Sequence, residues 1–289
     1  MTEMKIKELL KRDKVNFSCE IFPPKKDRDF SEVFSVVDRI SDLGADYISV
    51  TYGAGGSTSK KTVEVASYIQ NQKKTTALAH LTCIDSTREH IRAQLAELKA
   101  NGIENIMALR GDKPKDFTAP ADYSYAIELI QDIHSRGDFC VGAACYPEGH
   151  VECEHKQNDI SHLKEKVEAG VDFLTTQMFF DNNLFYKFLY QTLAAGINVP
   201  IVPGIMPIIN ARQVKRSTEL SGATMPTRFL AIADKFAGDP LSMEQAGIAY
   251  ATDQIIDLIA NGVRYIHLYT MNRPSTAEKI LSNLSHIIR

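Results

Sequence analysis

Thr76-Ala77-Leu78-Ala79-His80-Leu81-Thr82, a helical stretch over Thr87–Asn101, then Gly102, then Asn105-Ile106-Met107-Ala108-Leu109-Arg110: this passage decides the fold. Its two short runs are almost continuously apolar instead of alternating, as parallel strands covered on both faces are. The helical stretch between them ends on a glycine, the residue that takes the left-handed conformation past a helix end at least cost.

The same phrase recurs in both directions. Further strand runs lie at Val15–Ile21, Tyr47–Tyr52, Phe139–Cys145, Phe173–Gln177, Ile201–Ile205 and Tyr265–Thr270, which makes eight. Helical periodicity covers Phe30–Leu43, Ser59–Asn71 and Ser161–Ala169, and Gly44, Gly170, Gly196 and Gly262 precede later strands as Gly102 does. Eight such units in 289 residues predict a single α/β (β/α)8 TIM barrel spanning 1–289, led by an N-terminal helix. An open doubly wound sheet is the competing architecture. Its GxGxxG turn after the first strand is missing, and the glycine-rich turn Tyr52-Gly53-Ala54-Gly55-Gly56-Ser57 follows the second strand instead.

Composition narrows the partners. With 44% apolar and 24% charged residues and a net charge of −3, nothing favours nucleic acid or an anionic membrane. No apolar run is long enough to span a bilayer, and the polar N-terminus lacks a signal-peptide core. Cys19, Cys83, Cys140, Cys145 and Cys153 show no CxxC spacing, so reduced thiols in a cytoplasmic protein are expected.

In a barrel, polar residues at the C-terminal strand ends read as functional. Here these are Glu20, Thr51, His80 and Thr82, Arg110 and Asp112, Tyr146, Gln177, and Tyr269 to Arg273. Glu20 stands in an apolar context, which disfavours the ionised carboxylate and suits a general acid; pairing with a barrel Lys or Arg is the alternative. Arg110-Gly111 suits a phosphate, because the guanidinium forks onto oxygens and glycine lets them approach. Gln177 offers a donor and an acceptor to a heteroaromatic ring edge, or serves as a core amide bonded to backbone. Two cysteines and two histidines in Cys145–His155 match no standard zinc spacing, so no metal is expected. Tyr146 and His150 packing against a planar ring is the stronger reading.

Eight segments then carry a resemblance, in order along the chain: SCEIFPPK (Ser18–Lys25), VTYGAGGST (Val50–Thr58), AHLTC (Ala79–Cys83), ALRGD (Ala108–Asp112), YPEGH (Tyr146–His150), TTQMFFD (Thr175–Asp181), VPGIMPI (Val202–Ile208) and LYTMNR (Leu268–Arg273). The sequence resembles the methylenetetrahydrofolate reductases of the short bacterial type. The resemblance implies a barrel holding FAD at its C-terminal face. It implies ping-pong transfer of hydride from NADH or NADPH to FAD and on to 5,10-methylenetetrahydrofolate, feeding methionine synthesis. NADH is favoured by similarity to the short form. It further implies a homo-oligomer and, since the chain ends at Arg289 after one closing helix, no regulatory domain.

Carried over by position, Glu20 matches the general acid and Asp112 a carboxylate near flavin and pterin. FAD contacts match Thr51, Tyr52, Ala54, His80, Arg110, Gly111, Asp112, Ala126, Tyr146, His150, Asp159, His162 and Lys166. Asp112, Gln177, Gln213 and Arg273 match substrate contacts. Ser217 departs from the pattern: some members carry an aromatic there that stacks on substrate, and Leu184, Phe185 or Phe229 are the residues that could compensate. A metal-dependent barrel lyase or hydrolase using the Cys/His cluster, and a non-catalytic flavin or folate binder, are the rival readings.

Overall fold

The computed structural model describes residues 4–24, 30–52, 59–111, 122–150 and 156–288, with backbone alone at 59, 156–158 and 220. Eight parallel strands form the expected ring. They are β1 (Asn16–Ile21), β2 (Tyr47–Val50), β3 (Thr76–Thr82), β4 (Asn105–Leu109), β5 (Cys140–Cys145), β6 (Phe173–Thr176), β7 in two pieces (Ile201–Val202 and Gly204–Ile205) and β8 (Tyr265–Tyr269). Each pairs with its sequence neighbour from β1 to β7, and β8 pairs with β1.

Closure depends on β7. Its first piece pairs with β6 and its second with β8, and Pro203, which has no N–H to give, separates the two. The His267 amide bonds the Pro203 carbonyl at 3.0 Å, and the Gly204 amide donates to the Thr176 hydroxyl at 2.9 Å. Gly204 leaves room for Tyr269, whose ring would sit 2.5 Å from a Cβ there and whose hydroxyl donates to the Thr176 carbonyl at 2.7 Å.

The helices are α1 (Ile6–Leu9), α2 (Phe30–Asp42), α3 (Ser59–Ser67) with a π-helical turn to Gln72, α4 (Arg88–Ala100), α5 (Ala126–Ser135), α6 (Lys156–Glu168), α7 (Asn182–Ala194), α8 (Ala211–Ser221), α9 (Thr227–Phe236), α10 (Pro240–Ala260) and α11 (Pro274–Asn283). The five predicted cap glycines all have positive φ, from 73° at Gly102 to 111° at Gly170. α6 begins five residues before its predicted start, because Gln157, Asn158 and Asp159 supply no apolar stripe for periodicity to detect. Between β7 and β8 the chain makes three helices, which cover a satellite core of Phe180, Met206, Ile208, Met225, Phe229 and Met243.

Alternation sends one face of each strand outward to the helices and the other into the barrel. At the N-terminal end, α1 plugs the ring: Ile6, Leu9 and Leu10 pack on Tyr47, Leu78, Met107, Cys140, Phe173 and Val202. The plug is pinned by the Ile6 amide, which donates to Asn105 Oδ1 at 2.8 Å. No described helix is long and apolar enough to cross a membrane.

Candidate active site

Glu20, one residue before the end of β1, lies opposite Ser49 of β2 and Tyr269 of β8. Its Oε2 is 3.6 Å from His80 Nε2 and 3.9 Å from His267 Nε2, and its side chain is 13% exposed. Both separations exceed hydrogen-bonding distance. His80 Nε2 is buried and has no hydrogen-bond partner. Among the described residues Glu20 faces histidines, and no Lys or Arg pairs with it.

Below the carboxyl lies a polar layer inside the barrel. Ser18 Oγ is 2.8 Å from His267 Nδ1, and Ser49 Oγ is 3.4 Å from Nε2. The Tyr47 ring stacks on His267 at 6.0 Å, and Tyr269 meets it edge-on at 5.3 Å. Burial lowers the His80 pKa, with Glu20 opposing and His267 assisting that shift. Burial likewise holds the Tyr269 phenol well above its usual value. A neutral imidazole and a phenol that keeps its proton therefore surround the carboxyl. The cluster sets a carboxyl beside an imidazole nitrogen and a phenol, groups of the kind that transfer protons to a bound base. Glu20, His80 and Tyr269 are among the strand-end residues that the sequence singles out. It does not single out His267, Ser18 and Ser49; the one available signal is that His267 shares the inward alternation of Tyr265 and Tyr269.

Other predicted residues stand just past the strand ends or on the helices that follow them. The Thr51 amide donates to the Ile21 carbonyl at 3.1 Å, and the Tyr52 hydroxyl accepts from the Gln94 amide at 3.0 Å. Arg110 Nε donates to the Gly111 carbonyl at 3.2 Å. Gly111 has φ +89°, and a Cβ there would lie 3.1 Å from both Thr82 and Ile84, so the turn requires glycine. Ala126 opens α5 and is half-buried. Tyr146 and His150 form an edge-on ring pair at 4.6 Å.

On α6, Asp159 and Lys166 are half-buried, two turns apart on one helix face. Lys166 Nζ donates to the Ala144 carbonyl at 2.9 Å; burial lowers its pKa, offset in part by Cys145 and Asp159. His162, between Asp159 and Lys166 on the same helix, is exposed and lies 3.4 Å from Glu165. Gln177 is half-buried, and its Oε1 accepts from the Met178 amide at 3.0 Å, leaving its amide NH2 available. Gln213 uses its Oε1 in the same way, accepting from the Ile209 amide at 3.0 Å. Arg273 is exposed at the start of α11.

Ser217 is buried within α8, so its side chain lines no open surface. Phe185 stacks on Phe179 at 5.0 Å and Phe229 packs edge-on to Tyr250 at 4.7 Å; both are buried core residues, which corrects the expectation that either could compensate at a substrate face. Leu184 is half-buried. Ala54 and Asp112 lie outside the described residues, as do Cys153 and His155 of the Cys/His cluster. Cys19, Cys83, Cys140 and Cys145 are free and buried.

A family model described as methylenetetrahydrofolate reductase matches residues 5–285. The chain belongs to that family. A methylenetetrahydrofolate reductase (NADH) 1 of Arabidopsis thaliana is 36% identical over 298 residues, covering 98% of this chain and 50% of its own length. The 5,10-methylenetetrahydrofolate reductase of Pectobacterium carotovorum subsp. carotovorum is 34% identical, covering 94% of this chain and 90% of its own length. That of Escherichia coli K12 is also 34% identical, with 93% and 90% covered. The chain thus spans about half the length of the plant reductases and nine-tenths of the bacterial ones. Among solved structures, an uncharacterized Clostridium thermocellum protein that binds two copies of 5-methyl-5,6,7,8-tetrahydrofolic acid superposes with a TM-score of 0.64. It is 14% identical, with 98% of both chains covered, a likeness of fold.

Proposed function

We propose that this reductase-family chain converts 5,10-methylenetetrahydrofolate to 5-methyltetrahydrofolate, with electrons from NADH passing through FAD. The observation that carries the reading is Glu20, set at the barrel mouth against a neutral His80 whose Nε2 has no partner. Bound FAD would take hydride from the nicotinamide and return it to the folate. The protein's task is then to open the imidazolidine ring. Glu20, beside His80, would act as general acid and deliver a proton to N10; the N10–methylene bond breaks, and the N5 iminium that remains accepts hydride to become the methyl group. Asp112 is assigned to favour that cation, and the free NH2 of Gln177 to read the pterin edge.

The mouth fits a flavin nucleotide. Gly111 gives backbone access without a Cβ, Arg110 and Lys166 are cations suited to the pyrophosphate, and the Tyr146–His150 ring pair suits a planar ring. Thr51, Tyr52, Ala54, Ala126, Asp159 and His162 are assigned to the same cofactor, and Gln213 and Arg273 to the substrate. NADH is favoured over NADPH because plant relatives carry NADH in their names. A cytoplasmic homo-oligomer supplying methyl groups to methionine synthesis completes the proposal.

The test is spectroscopic. The purified protein should be yellow, bleach on anaerobic addition of NADH, and recover its colour with 5,10-methylenetetrahydrofolate. A colourless protein with stoichiometric zinc would overturn the reading in favour of a metal-dependent enzyme. Bleaching without recovery would make it something other than a folate reductase.

A further inference from the structure

The β1–β8 ladder stops at the pair Glu20–Tyr269, β1 itself ends at Ile21, and the chain runs on through Phe22 to Pro23 and Pro24. Neither proline has an N–H, so regular pairing has no way to continue past Phe22. The backbone groups of Phe22 are taken up by one side chain. Its amide donates to Asn272 Oδ1 at 2.7 Å, and its carbonyl accepts from Asn272 Nδ2 at 3.0 Å. Two residues earlier in the same loop, the buried Thr270 hydroxyl donates to the Glu20 carbonyl at 2.7 Å. The loop therefore grips β1 at Glu20 and at Phe22.

To present Asn272 in this way the loop adopts the left-handed region twice in succession, with φ +52° at Met271 and +56° at Asn272. Asn tolerates that region; Met, exposed here, gains nothing there by itself. Paired non-glycine residues held in this region persist where the surrounding contacts over-determine them, and such strain gathers at functional sites. The next residue is Arg273, whose amide donates to the Thr270 carbonyl at 2.9 Å. One tight loop thus joins the strand end that carries Glu20 to the start of α11.

We propose that Asn272, aided by Thr270, is a positioning residue that latches the post-β8 loop to β1 and fixes the Glu20 carboxyl against the bound folate. The inference rests on the role of Glu20 given above. Proton delivery is sensitive to sub-ångström placement, so loosening the latch costs proton transfer to N10 and spares hydride uptake from NADH.

A double-mutant cycle read by stopped flow tests it. Asn272→Gly removes the amide while keeping the left-handed region accessible. It should slow reoxidation of the reduced flavin by 5,10-methylenetetrahydrofolate about tenfold or more, with flavin reduction by NADH within about twofold of wild type. In a Glu20→Gln background, where no acid remains to be placed, the same substitution should slow reoxidation by no more than about twofold further. Thr270→Val should behave as a weaker Asn272→Gly, and Thr270→Ser, which keeps the hydroxyl, should restore the rate. Equal loss in both half-reactions, or an Asn272→Gly effect that is undiminished in the Glu20→Gln protein, overturns the latch. If Glu20→Gln alone spares reoxidation, it is the proposed acid that fails.

Discussion

The two ends of this barrel are built from opposite materials. At the N-terminal end, Ile6, Leu9 and Leu10 seal the ring against Leu78, Met107 and Phe173, and the Ile6 amide is met by Asn105 Oδ1. At the C-terminal end a carboxyl, two imidazoles and a phenol share a buried layer, and among the described residues His80 Nε2 has no hydrogen-bond partner. An unpartnered buried nitrogen costs stability, and at the mouth it stands beside the carboxyl to which the acid role is assigned. Substitutions at the plug should therefore register as lost stability, and substitutions at the mouth as lost function.

The sharpest break in that contrast is Glu20→Gln. It should lower the rate of folate reduction by about 10²–10⁴-fold, the range of a lost general acid, while NADH still bleaches the flavin and the melting temperature holds. Stopped-flow traces of the two half-reactions, with a thermal melt, check this; parallel loss in both would remove the distinction between acid and scaffold. At the other end, Phe173→Ala should cost about 3–5 kcal/mol of stability by leaving a cavity under the plug, with flavin spectrum and rate per folded molecule unchanged. Urea denaturation provides that number, and a spectral change at matched folding would show the two ends to be coupled.

Lys166→Met is expected to do less. Removing one charge-assisted contact to a phosphate is worth about 1.5–3 kcal/mol, so FAD should bind about tenfold to a hundredfold more weakly in a titration of the apoprotein. Unchanged affinity would return Lys166 to a purely internal role, holding the Ala144 carbonyl.

The smallest effect concerns pH. His80 is held neutral by burial in the folded state, whereas unfolded it takes up a proton near its ordinary value of 6.5. Below that value the unfolded chain binds the extra proton, so stability falls as pH falls and is fully present above it. His80→Gln should flatten this slope below pH 6.5 by at most about 1.4 kcal/mol per unit. Identical slopes in wild type and variant, measured by denaturation at several pH values, would show that His80 is charged in the folded protein.

How much of this was legible in the sequence follows the same division between local and long-range. The eight apolar runs and the glycines at 44, 102, 170, 196 and 262 encode strand and cap within a few residues each, so the ring could be read directly. Glu20 was legible because a carboxylate in an apolar strand conflicts with its neighbours. His267 was not, because its partner Ser18 is 249 positions away and only closure of the barrel brings them together. Phe185 and Phe229 failed as substrate-facing candidates for a related reason: an aromatic on an amphipathic helix reads the same whether it meets a ligand or a core, and here both meet the core. The three helices between β7 and β8 form their own small core, which no strand-to-strand phrase announces.

The interruption of β7 at Pro203 also makes the ring a chain with a clasp. Six of its eight seams are ladders of four or five residue pairs, while the two that β7 makes, with β6 and with β8, have two pairs each, supplemented by the His267 amide on the Pro203 carbonyl and by the Tyr269 hydroxyl reaching across to Thr176 of β6. Local opening follows the sparsest bonding, so β7 is where the ring is expected to open first. Both residues that fasten it from β8 also pack around Glu20's neighbours. An excursion that loosens β7 would therefore disturb the surroundings of Glu20, so the sparsest bonding of the ring and the proposed acid share one end of the barrel.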